Sequence, residues 1–457
     1  MIRYLFMVLK TLFLWLTIFG LGAVGYAPFT ETADLTGNVT PAGDEALYLQ
    51  LEAPDTGWDS YQPARVYGGY RYGPSMILNA DGSLDLWSAA NGTYGFWDAI
   101  TYSRLYDEGH TRTKESIVVK PTAGSMDALS CCDPGVIKFG GYYYVGYTST
   151  MDERGINNDI FIARSKTPDG PYEKWNGSGW GGDPVPLVSH DPALDNVAGA
   201  MEPSFVVMDD TLFIYYNWNG PCFVATADAT DENWPATLKI RGEAIPDNMG
   251  DSKDVKYVDE YGRFIAVFTT KRFTDDSYVS VWESFDGLTF RPAGFVKTNT
   301  AKKLHNCGIS GRSDGHICAG DPVYLSYAYG GGWGTWATRM HKVTLSLADA
   351  PKTDADAESN VEIAVERHKE RAVPEVLTIA AQEPVLTVEK SARVMIFAYD
   401  SDNFNSPVLT GVKYSGYDKS LIRIVGNRVY ALGSGSTRVT AAWNGCTCDF
   451  VVNAQAN

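Results

Sequence analysis

Five segments of this sequence repeat one pattern, and this repetition constrains the fold more than any other feature. Each segment has a turn-like or acidic start, an apolar strand, a Gly or Asp turn and a Tyr-rich strand. The segments start at Gly73, Asp133, Glu202, Asp254 and Asn306, so the spacings are 60, 69, 52 and 52 residues. Each spacing is long enough for a four-stranded antiparallel sheet, and no helical periodicity lies between the repeats. The pattern therefore predicts an all-β, five-bladed β-propeller rather than a single β-sandwich.

The rest of the chain predicts three further segments around this propeller, which we expect at residues 57–347. Residues 1–27 hold an uncharged apolar stretch followed by small residues, which indicates a signal peptide or an uncleaved anchor. Residues 348–372 are acidic and Ala-rich and predict a linker. Residues 373–457 contain several short strand patterns, which suit a small Ig-like β-sandwich.

Composition narrows the classes of partner. The net charge of −17 argues against nucleic acid, because phosphate binding needs a basic surface. Aromatic residues make up 13% of the chain, and we expect most of them in the core and some in a cleft where rings stack on sugar faces. No Cys or His spacing is typical of zinc, so we expect no metal site and no cofactor. The expected partner is a poly- or oligosaccharide, bound by a monomer.

Three of the five repeat starts are carboxylates, namely Asp133, Glu202 and Asp254 on consecutive blades. Inner strands of a propeller begin near one end of the axis, so equivalent starts converge on one funnel. Glycoside hydrolysis needs such a set, because one carboxylic acid protonates the leaving oxygen and a second carboxylate acts as base or nucleophile. A third carboxylate nearby can keep the acid protonated. Each of the three taken alone fits a strand-entry turn equally well.

Two stretches carry a resemblance to a known family. Residues 132–149 read Cys-Asp-Pro-Gly-Val-Ile-Lys-Phe-Gly-Gly-Tyr-Tyr-Tyr-Val-Gly-Tyr-Thr-Ser, and residues 163–175 contain Ala-Arg-Ser, Gly-Pro-Tyr and a final Trp before Glu202-Pro-Ser-Phe. Over residues 67–344 the chain thus resembles the five-bladed propellers of glycoside hydrolase family 43 and its levansucrase, invertase and arabinanase relatives. The residues after 373 resemble bacterial Ig-like domains of group 2, which implies display or surface binding.

The resemblance implies an inverting glycosidase with an Asp base, a second Asp that tunes and orients, and a Glu general acid. Glu202 matches the acid and Asp133 matches the Asp-Pro strand start, so Asp133 is expected as the base and Asp254 as the modulator. That family usually places its base in the first blade, where this chain has Gly73, so a sister family or a rearranged constellation also fits. Some relatives carry a calcium ion on the axis, but no motif here demands one.

Six further residues are expected to contact the substrate, because they flank strand starts or lie in Gly- or Asn-rich loops: Arg71, Trp97, Asp98, Trp218, Lys253 and His305. A structural role explains His305 equally well, and a solvated turn is the simpler explanation of Asp98. The leading hypothesis is an exported glycosidase, secreted or held at the cell surface. The rival hypothesis is a non-catalytic carbohydrate-binding or adhesion propeller, which the missing first-blade Asp keeps open.

Overall fold

The computed structural model describes residues 45–51, 57–61, 69–91, 97–195, 197–246, 250–330, 335–349, 378–382, 385–408 and 410–456. Across these residues the chain is all-β, and helical structure is limited to 3-10 turns at Asp107–Gly109, Trp234–Thr237 and Asp259–Tyr261. In this part of the chain no helix has the length and hydropathy that a membrane span requires. The predicted signal or anchor at 1–27 and the predicted linker, apart from residues 348–349, lie outside the described residues.

Five of the sheets follow one another along the chain after two leading strands, β1 (Glu45–Leu51) and β2 (Trp58–Tyr61). The first sheet holds β3 (Arg71–Leu78), β4 (Leu84–Asn91), β5 (Asp98–Tyr106), β6 (Thr111–Arg112) and β7 (Ser116–Val119). The second sheet holds β8 (Cys132–Phe139), β9 (Tyr142–Ser149), β10 (Asp159–Ser165) and β11 (Glu173–Lys174). The third sheet holds β12 (Ala200–Met208), β13 (Thr211–Trp218), β14 (Cys222–Asp228) and β15 (Lys239–Ile245).

The last two of these sheets are formed mainly by the chain from residue 250 to residue 349. The fourth sheet holds β16 (Gly250–Val258), β17 (Arg263–Thr270), β18 (Tyr278–Ser284) and β19 (Arg291–Val296), with β21 (His316–Ile317) beside β16. The fifth sheet holds β20 (Leu304–Ile309), β22 (Val323–Tyr329) and β23 (Ala337–Asp349), together with β1 and β2. Apart from β21, which pairs parallel with β16, neighbouring strands in these sheets are antiparallel, as the repeat pattern predicts.

The fifth sheet combines the two ends of this region. β1 pairs antiparallel with β23 from Glu45↔Asp349 to Leu51↔Val343. Its side chains at 47, 49 and 51 are buried in the same apolar cluster as β20 and β22. The predicted propeller boundary at residue 57 therefore leaves out a strand that belongs to the last sheet. β1 alternates buried and more exposed positions, which is the pattern of a strand with one face on the core.

The first strands of the five sheets contact one another in closed order: β3 with β8, β8 with β12, β12 with β16, β16 with β20, and β20 with β3. The strands approach so closely that a Cβ at Gly135 would lie 1.9 Å from the Pro203 carbonyl oxygen, and a Cβ at Gly308 would lie 2.1 Å from that of Pro74. Only glycine permits this contact between neighbouring backbones. Apolar clusters fill the spaces between successive sheets.

Each of these five inner strands has the same β-bulge close to its start. Two residues oppose a single residue on the neighbouring strand, and these pairs are 73–74, 133–134, 202–203, 252–253 and 305–306. The first bulge residue is left-handed in four strands, with φ of 58° at Gly73, 48° at Asp133, 60° at Glu202 and 42° at Ser252. A bulge redirects side chains away from the regular alternation. The bulges therefore turn equivalent side chains toward one end of the inner strands.

The C-terminal region forms three small sheets around one apolar core. The strands are β24 (Thr378–Gln382), β25 (Val385–Thr387), β26 (Ser391–Arg393), β27 (Met395–Tyr399), β28 (Asn405–Pro407), β29 (Lys413–Ser415), β30 (Ile422–Val425), β31 (Arg428–Ala431), β32 (Gly435–Trp443) and β33 (Cys446–Gln455). Their order is β24-β27-β28, β25-β33-β32-β29 and β26-β31-β30. Val439, Phe450 and Val452 lie in the core. The Ig-like assignment of this region stays a prediction.

Candidate active site

A cavity of about 360 Å³ opens at the bulged ends of the inner strands. It is lined by Tyr72, Trp97, Asp98, Ser130, Cys132, Asp133, Thr148, Thr150, Gly155, Asn158, Ala198, Met201, Glu202, Asn217, Asn219, Gly220, Gly250, Asp251, Arg272 and His305. The structure thus places five of the nine predicted site residues in one cavity wall: Trp97, Asp98, Asp133, Glu202 and His305. We call Asp98, Asp133, Glu202 and Asp251 the cavity carboxylates.

Glu202 is held by contacts from three neighbouring strands. Its backbone N–H donates to Thr148 Oγ1 at 2.9 Å. Its Oε2 accepts hydrogen bonds from Asn217 Nδ2 and from the Ser252 backbone N–H, the latter at 2.8 Å. Burial and the negative charges of Asp251 and Asp133 raise the pKa of Glu202 well above its ordinary value. Glu202 is therefore a carboxylic acid that keeps its proton, beside donors that would stabilise the carboxylate after the proton has left.

Asp251 is the charged partner of Glu202. It is hydrogen-bonded to Glu202, its Oδ2 lies 2.9 Å from His305 Nδ1, and its Oδ1 accepts from Arg272 Nη1 at 2.7 Å. Burial opposes its ionisation, but the His305 ring and the Arg272 guanidinium hold the pKa of Asp251 well below its ordinary value. The pair therefore divides into a protonated Glu202 and an ionised Asp251, which is how two adjacent carboxyls take different roles.

Asp133 faces the same cavity from the second sheet. Its Oδ1 accepts from Asn306 Nδ2 at 3.1 Å. The same amide group donates to Ser252 Oγ, and its oxygen accepts from the Gly73 backbone N–H, both at 3.1 Å. Burial raises the pKa of Asp133; the His305 ring opposes this rise, and the Asp251 charge adds to it. Asn306 thus ties the bulges of four sheets together around this carboxyl.

Asp98 and Trp97 extend the cavity wall on the first sheet. Asp98 Oδ1 accepts from the Tyr70 hydroxyl at 2.6 Å, and Oδ2 accepts from Ser130 Oγ at 3.2 Å. Burial raises the pKa of Asp98 to about 6, although these hydroxyls favour the charged form. Trp97 is 40% exposed and lies at the rim. Asp98 is therefore a buried, hydrogen-bonded carboxyl, and the solvated turn considered from its sequence is wrong.

The structure does not bring Asp254 into this cavity. Its Oδ1 contacts Lys256 Nζ at 2.5 Å and accepts from Ser204 Oγ at 2.9 Å, while Oδ2 accepts from the Ile309 backbone N–H at 2.8 Å. It lines a narrow space of about 20 Å³ between all five inner strands, which we call the axial channel. The predicted alignment of Asp254 with Asp133 and Glu202 is wrong by two residues, because the bulge places Ser252 at the equivalent position.

Three predicted substrate contacts also lie outside the cavity wall. Lys253 is buried, and its ammonium donates to the backbone carbonyls of residues 220 and 250 at 3.2 and 2.9 Å. Arg71 is buried against Glu115, with Nη2 2.6 Å from Oε2. Trp218 packs against Tyr216 and Phe223, at ring-centroid distances of 6.4 and 6.3 Å. In each case the side chain is engaged by the protein itself.

Two residues that define the cavity chemistry were missed by the sequence reasoning. Asp251 precedes the fourth bulge, and aligning the apolar residue Val255 with the repeat would have located that bulge. Arg272 lies in the loop after β17, where no repeat pattern marks it. Its neighbours Lys271 and Phe273 have left-handed φ of 53° and 66°. Such strained positions cluster at functional sites, so backbone geometry is the signal that marks Arg272.

No protein-family model matches this sequence, and no curated protein matches it. Among solved structures, the chain is similar to the catalytic domain of a GH62 α-L-arabinofuranosidase from Coprinopsis cinerea, with 13% identity, a TM-score of 0.45, and 65% of this chain and 97% of that chain covered. It is also similar to a family 117 glycoside hydrolase from the marine bacterium Zobellia galactanivorans, with 16% identity, a TM-score of 0.45, and 65% and 90% covered.

A third similar structure is an endo-arabinase from Bacteroides thetaiotaomicron, with 12% identity, a TM-score of 0.42, and 65% of this chain and 100% of that chain covered. These neighbours are glycoside hydrolases by their descriptions. At TM-scores this low, the likeness assigns neither a substrate nor a mechanism to this chain. Within the described residues, no group of three or more His, Cys, Asp and Glu side chains is arranged to hold a metal ion.

Proposed function

We propose that this chain is a glycosidase that cleaves a poly- or oligosaccharide by acid–base catalysis. The observation that carries the proposal is the contact between the Glu202 and Asp251 carboxyls, whose pKa values are shifted in opposite directions, in the same open cavity as Asp133. A glycosidase needs an acid with a raised pKa and a second carboxyl across the scissile bond. We further propose that the five sheets are blades of a closed propeller, which the cyclic contacts of their inner strands support.

Glu202 is the proposed general acid. Its proton moves to the glycosidic oxygen as the bond to the sugar breaks, and the electron pair of that bond stays with the leaving oxygen. The carboxylate left behind keeps the hydrogen bonds from Asn217 and from the Ser252 backbone N–H. Asp251 takes the modulating role that the sequence assigned to Asp254, because it touches Glu202 and stays charged. Arg272 and His305 hold Asp251 in that state.

Asp133 is the proposed base. In an inverting reaction it removes a proton from water as that water attacks the anomeric carbon, so one carboxyl gains the proton that the other has lost. Inversion is part of the proposal, and a proton NMR time course that records the anomer released first tests it. Asp98, with its hydroxyl partners, and Trp97 at the rim are proposed to bind the sugar hydroxyls and ring face.

The biological setting is proposed from sequence features. The apolar segment within residues 1–27 supports export, with the protein secreted or held at the cell surface by that segment or by the Ig-like domain. The strongly acidic composition supports a carbohydrate rather than a nucleic acid as partner. We expect a monomer, which the molar mass of the purified protein in solution would test.

The decisive experiment is an activity panel of aryl glycosides and plant and microbial polysaccharides, with wild type beside Glu202→Gln. A matched control is Glu232→Gln, whose side chain is 67% exposed and outside the cavity wall. We expect hydrolysis by wild type and by the control, and loss of hydrolysis in Glu202→Gln. Full activity of Glu202→Gln would refute the assignment of the acid.

One observation favours the rival function, a carbohydrate-binding or adhesion propeller. The first bulge position of the first sheet is Gly73, so that blade supplies no carboxylate there. A binder would retain polysaccharide without turnover. Binding by isothermal titration calorimetry together with inactivity across the panel would establish it in place of the glycosidase.

A further inference from the structure

The C-terminal region is joined to the first sheet by a network of hydrogen bonds. The Glu115 backbone N–H donates to the Asn403 carbonyl oxygen at 2.9 Å, and Asn405 Nδ2 donates to the Glu115 carbonyl oxygen at 3.1 Å. Asn403 Nδ2 donates to the Arg112 carbonyl oxygen at 2.9 Å. A flexible tether would not need such reciprocal contacts, so this contact fixes the loop at 403–405 against residues 112–115.

Side-chain packing extends the same contact. The Arg112 guanidinium lies 4.0 Å from the ring centroid of Phe404, and that ring meets Tyr61 edge-on at 4.9 Å. Lys114 Nζ lies 3.6 Å from the ring centroid of Tyr399. Cation–π and edge-to-face contacts of this kind add to the hydrogen bonds. The C-terminal region therefore covers the outer edge of the first sheet.

A buried ion pair lies next to this contact, on the side of the first sheet. Arg71 and Glu115 side chains are each 4% exposed, and Arg71 Nη2 lies 2.6 Å from Glu115 Oε2. The same Nη2 donates to the Asn405 carbonyl oxygen at 3.2 Å, and Nη1 donates to the Tyr70 carbonyl oxygen at 2.8 Å. A buried arginine of this kind needs all of its acceptors, so its position depends on both regions of the chain.

Tyr70 links this pair to the cavity. Its hydroxyl donates to Asp98 Oδ1 at 2.6 Å, and Asp98 lines the cavity wall. Hydrogen bonds therefore link Asn405 to Arg71 and Arg71 to the backbone carbonyl of Tyr70, and the Tyr70 side chain completes the connection to a cavity carboxylate. The apolar ring of Tyr70 also packs edge-on against Trp336, at 5.5 Å between centroids.

We propose that the C-terminal domain braces the cavity, with Asn405, Glu115 and Arg71 acting as positioning residues that hold the Tyr70 hydroxyl against Asp98. The catalytic consequence rests on the proposed glycosidase function; the brace itself does not. In this arrangement the C-terminal domain is a working part of the site rather than a spacer. Its removal or loosening would change the chemistry of a carboxyl that it never touches.

The charge state of Asp98 reports on the brace. The titratable groups around Asp98 are Tyr70, Tyr72, Cys131, Cys132 and Asp133. Burial raises the pKa of Asp98 to about 6, and the Tyr70 hydrogen bond works against that rise by favouring the carboxylate. Loss of this hydrogen bond therefore raises the pKa further. A substitution elsewhere in the chain that moves the Tyr70 hydroxyl away from Asp98 is expected to raise the pKa of Asp98 as well.

The test measures the titration of Asp98 by carboxyl ¹³C NMR in the full-length protein, with the signal assigned by Asp98→Asn. Tyr70→Phe is expected to raise the apparent pKa by about half a unit or more, because it removes one donor to the carboxylate. Asn405→Ala removes the side-chain hydrogen bond to the Glu115 carbonyl oxygen and so loosens the loop whose backbone carbonyl holds Arg71. This variant and Glu115→Gln are expected to shift the pKa of Asp98 in the same direction, by less. The control is Arg438→Ala, which removes an exposed ion pair with Asp449 in the same domain. This variant should leave the pKa of Asp98 unchanged.

The outcomes separate the two proposals. If Asn405→Ala and a folded Glu115→Gln lower the thermal stability but leave the Asp98 titration unchanged, the contact is only structural and the brace is refuted. An unchanged titration in Tyr70→Phe refutes it as well. If Glu115→Gln fails to fold, Asn405→Ala decides alone. A protein that hydrolyses no glycoside but shows these shifts loses the glycosidase proposal and keeps the brace.

Discussion

Two aspartates on β16, the buried Asp251 and the half-buried Asp254, lie three residues apart and meet different surroundings. Asp254, in the axial channel, has an ammonium and a hydroxyl on one oxygen and a backbone N–H on the other. Asp251, on the cavity side of the bulge, has Arg272 and His305 as partners and also touches the carboxyl of Glu202. The bulge at Ser252 and Lys253 separates the two.

The difference shows that the partners of a carboxyl, and not only its place on the strand, decide whether it suits a structural or a catalytic role. In the axial channel every oxygen of Asp254 has a donor from the protein, so its surroundings suit a structural role. In the cavity two carboxyls share one hydrogen bond, but only Asp251 is hydrogen-bonded to the Arg272 guanidinium and the His305 ring. That imbalance leaves a proton on Glu202, and a proton held in an open cavity is available for transfer.

The largest expected effect is that of Glu202→Gln. We expect kcat to fall by a factor of about 10³ or more, because the proposed general acid is removed. The pKa of Glu202 is raised in the folded protein, so its contribution to stability is present at low pH and is lost as pH rises toward that pKa. Gln has no proton to lose. Melting temperatures measured from about pH 5 to 8 should therefore favour the variant increasingly at higher pH.

Asp251→Asn should reduce kcat by a factor of about 10². The substitution also removes a negative charge from beside Glu202, so the pKa of Glu202 falls and its proton is lost at lower pH. The basic limb of the pH–kcat profile is thus expected to move to lower pH. A basic limb at its wild-type position would show that Asp251 does not tune the acid.

Asp254→Asn is the matched variant on the same strand. In contrast to Asp251→Asn, it should lower the stability of the fold and leave the pH dependence of kcat unchanged. It leaves the buried Lys256 ammonium without its carboxylate, which is expected to cost about 3–5 kcal/mol in the free energy of unfolding. The pH–kcat profile of the folded variant should keep the wild-type limbs. Urea denaturation measures the first effect. A shifted limb would mean that the axial channel takes part in the chemistry after all.

The smallest expected effect is at the rim. Trp97→Ala should raise KM about threefold to tenfold for polysaccharide, because a stacking surface is lost, and leave kcat on a small aryl glycoside nearly unchanged. Tyr106→Ala is a suitable control, since Tyr106 is 42% exposed and is not part of the cavity wall. An equal KM for polysaccharide in both variants would exclude Trp97 from binding.

The first three sheets could be aligned from sequence because each has a proline after its first bulge residue: Gly73-Pro74, Asp133-Pro134 and Glu202-Pro203. The fourth and fifth sheets have Ser252-Lys253 and His305-Asn306 instead, so the alignment moved to the next acidic or polar residue. Asp133 and Glu202 both line the cavity wall, whereas Asp254 was chosen in place of Asp251.

The remaining errors come from contacts that no local pattern encodes. Arg71 was expected to face substrate, but its partners include Asn405, more than 300 residues later in the chain. Lys253 sits beside a strand start, yet its ammonium turns to backbone carbonyls. A polar residue near a strand start can point into the axial channel, into the cavity or toward the C-terminal region, and its residue type does not say which.

The pairing of β1 with β23 has a consequence for how the chain must be made and handled. Leu51 pairs with Val343, almost 300 residues later in the chain, so this sheet is completed only after the other four sheets of the region have been made. A shortened protein that starts at residue 57 would keep the pairing of β2 with β23 but leave the edge of β23 unpaired from Val343 to Asp349. Such an edge recruits other chains, so a truncated version should aggregate where one that keeps residue 45 stays in solution.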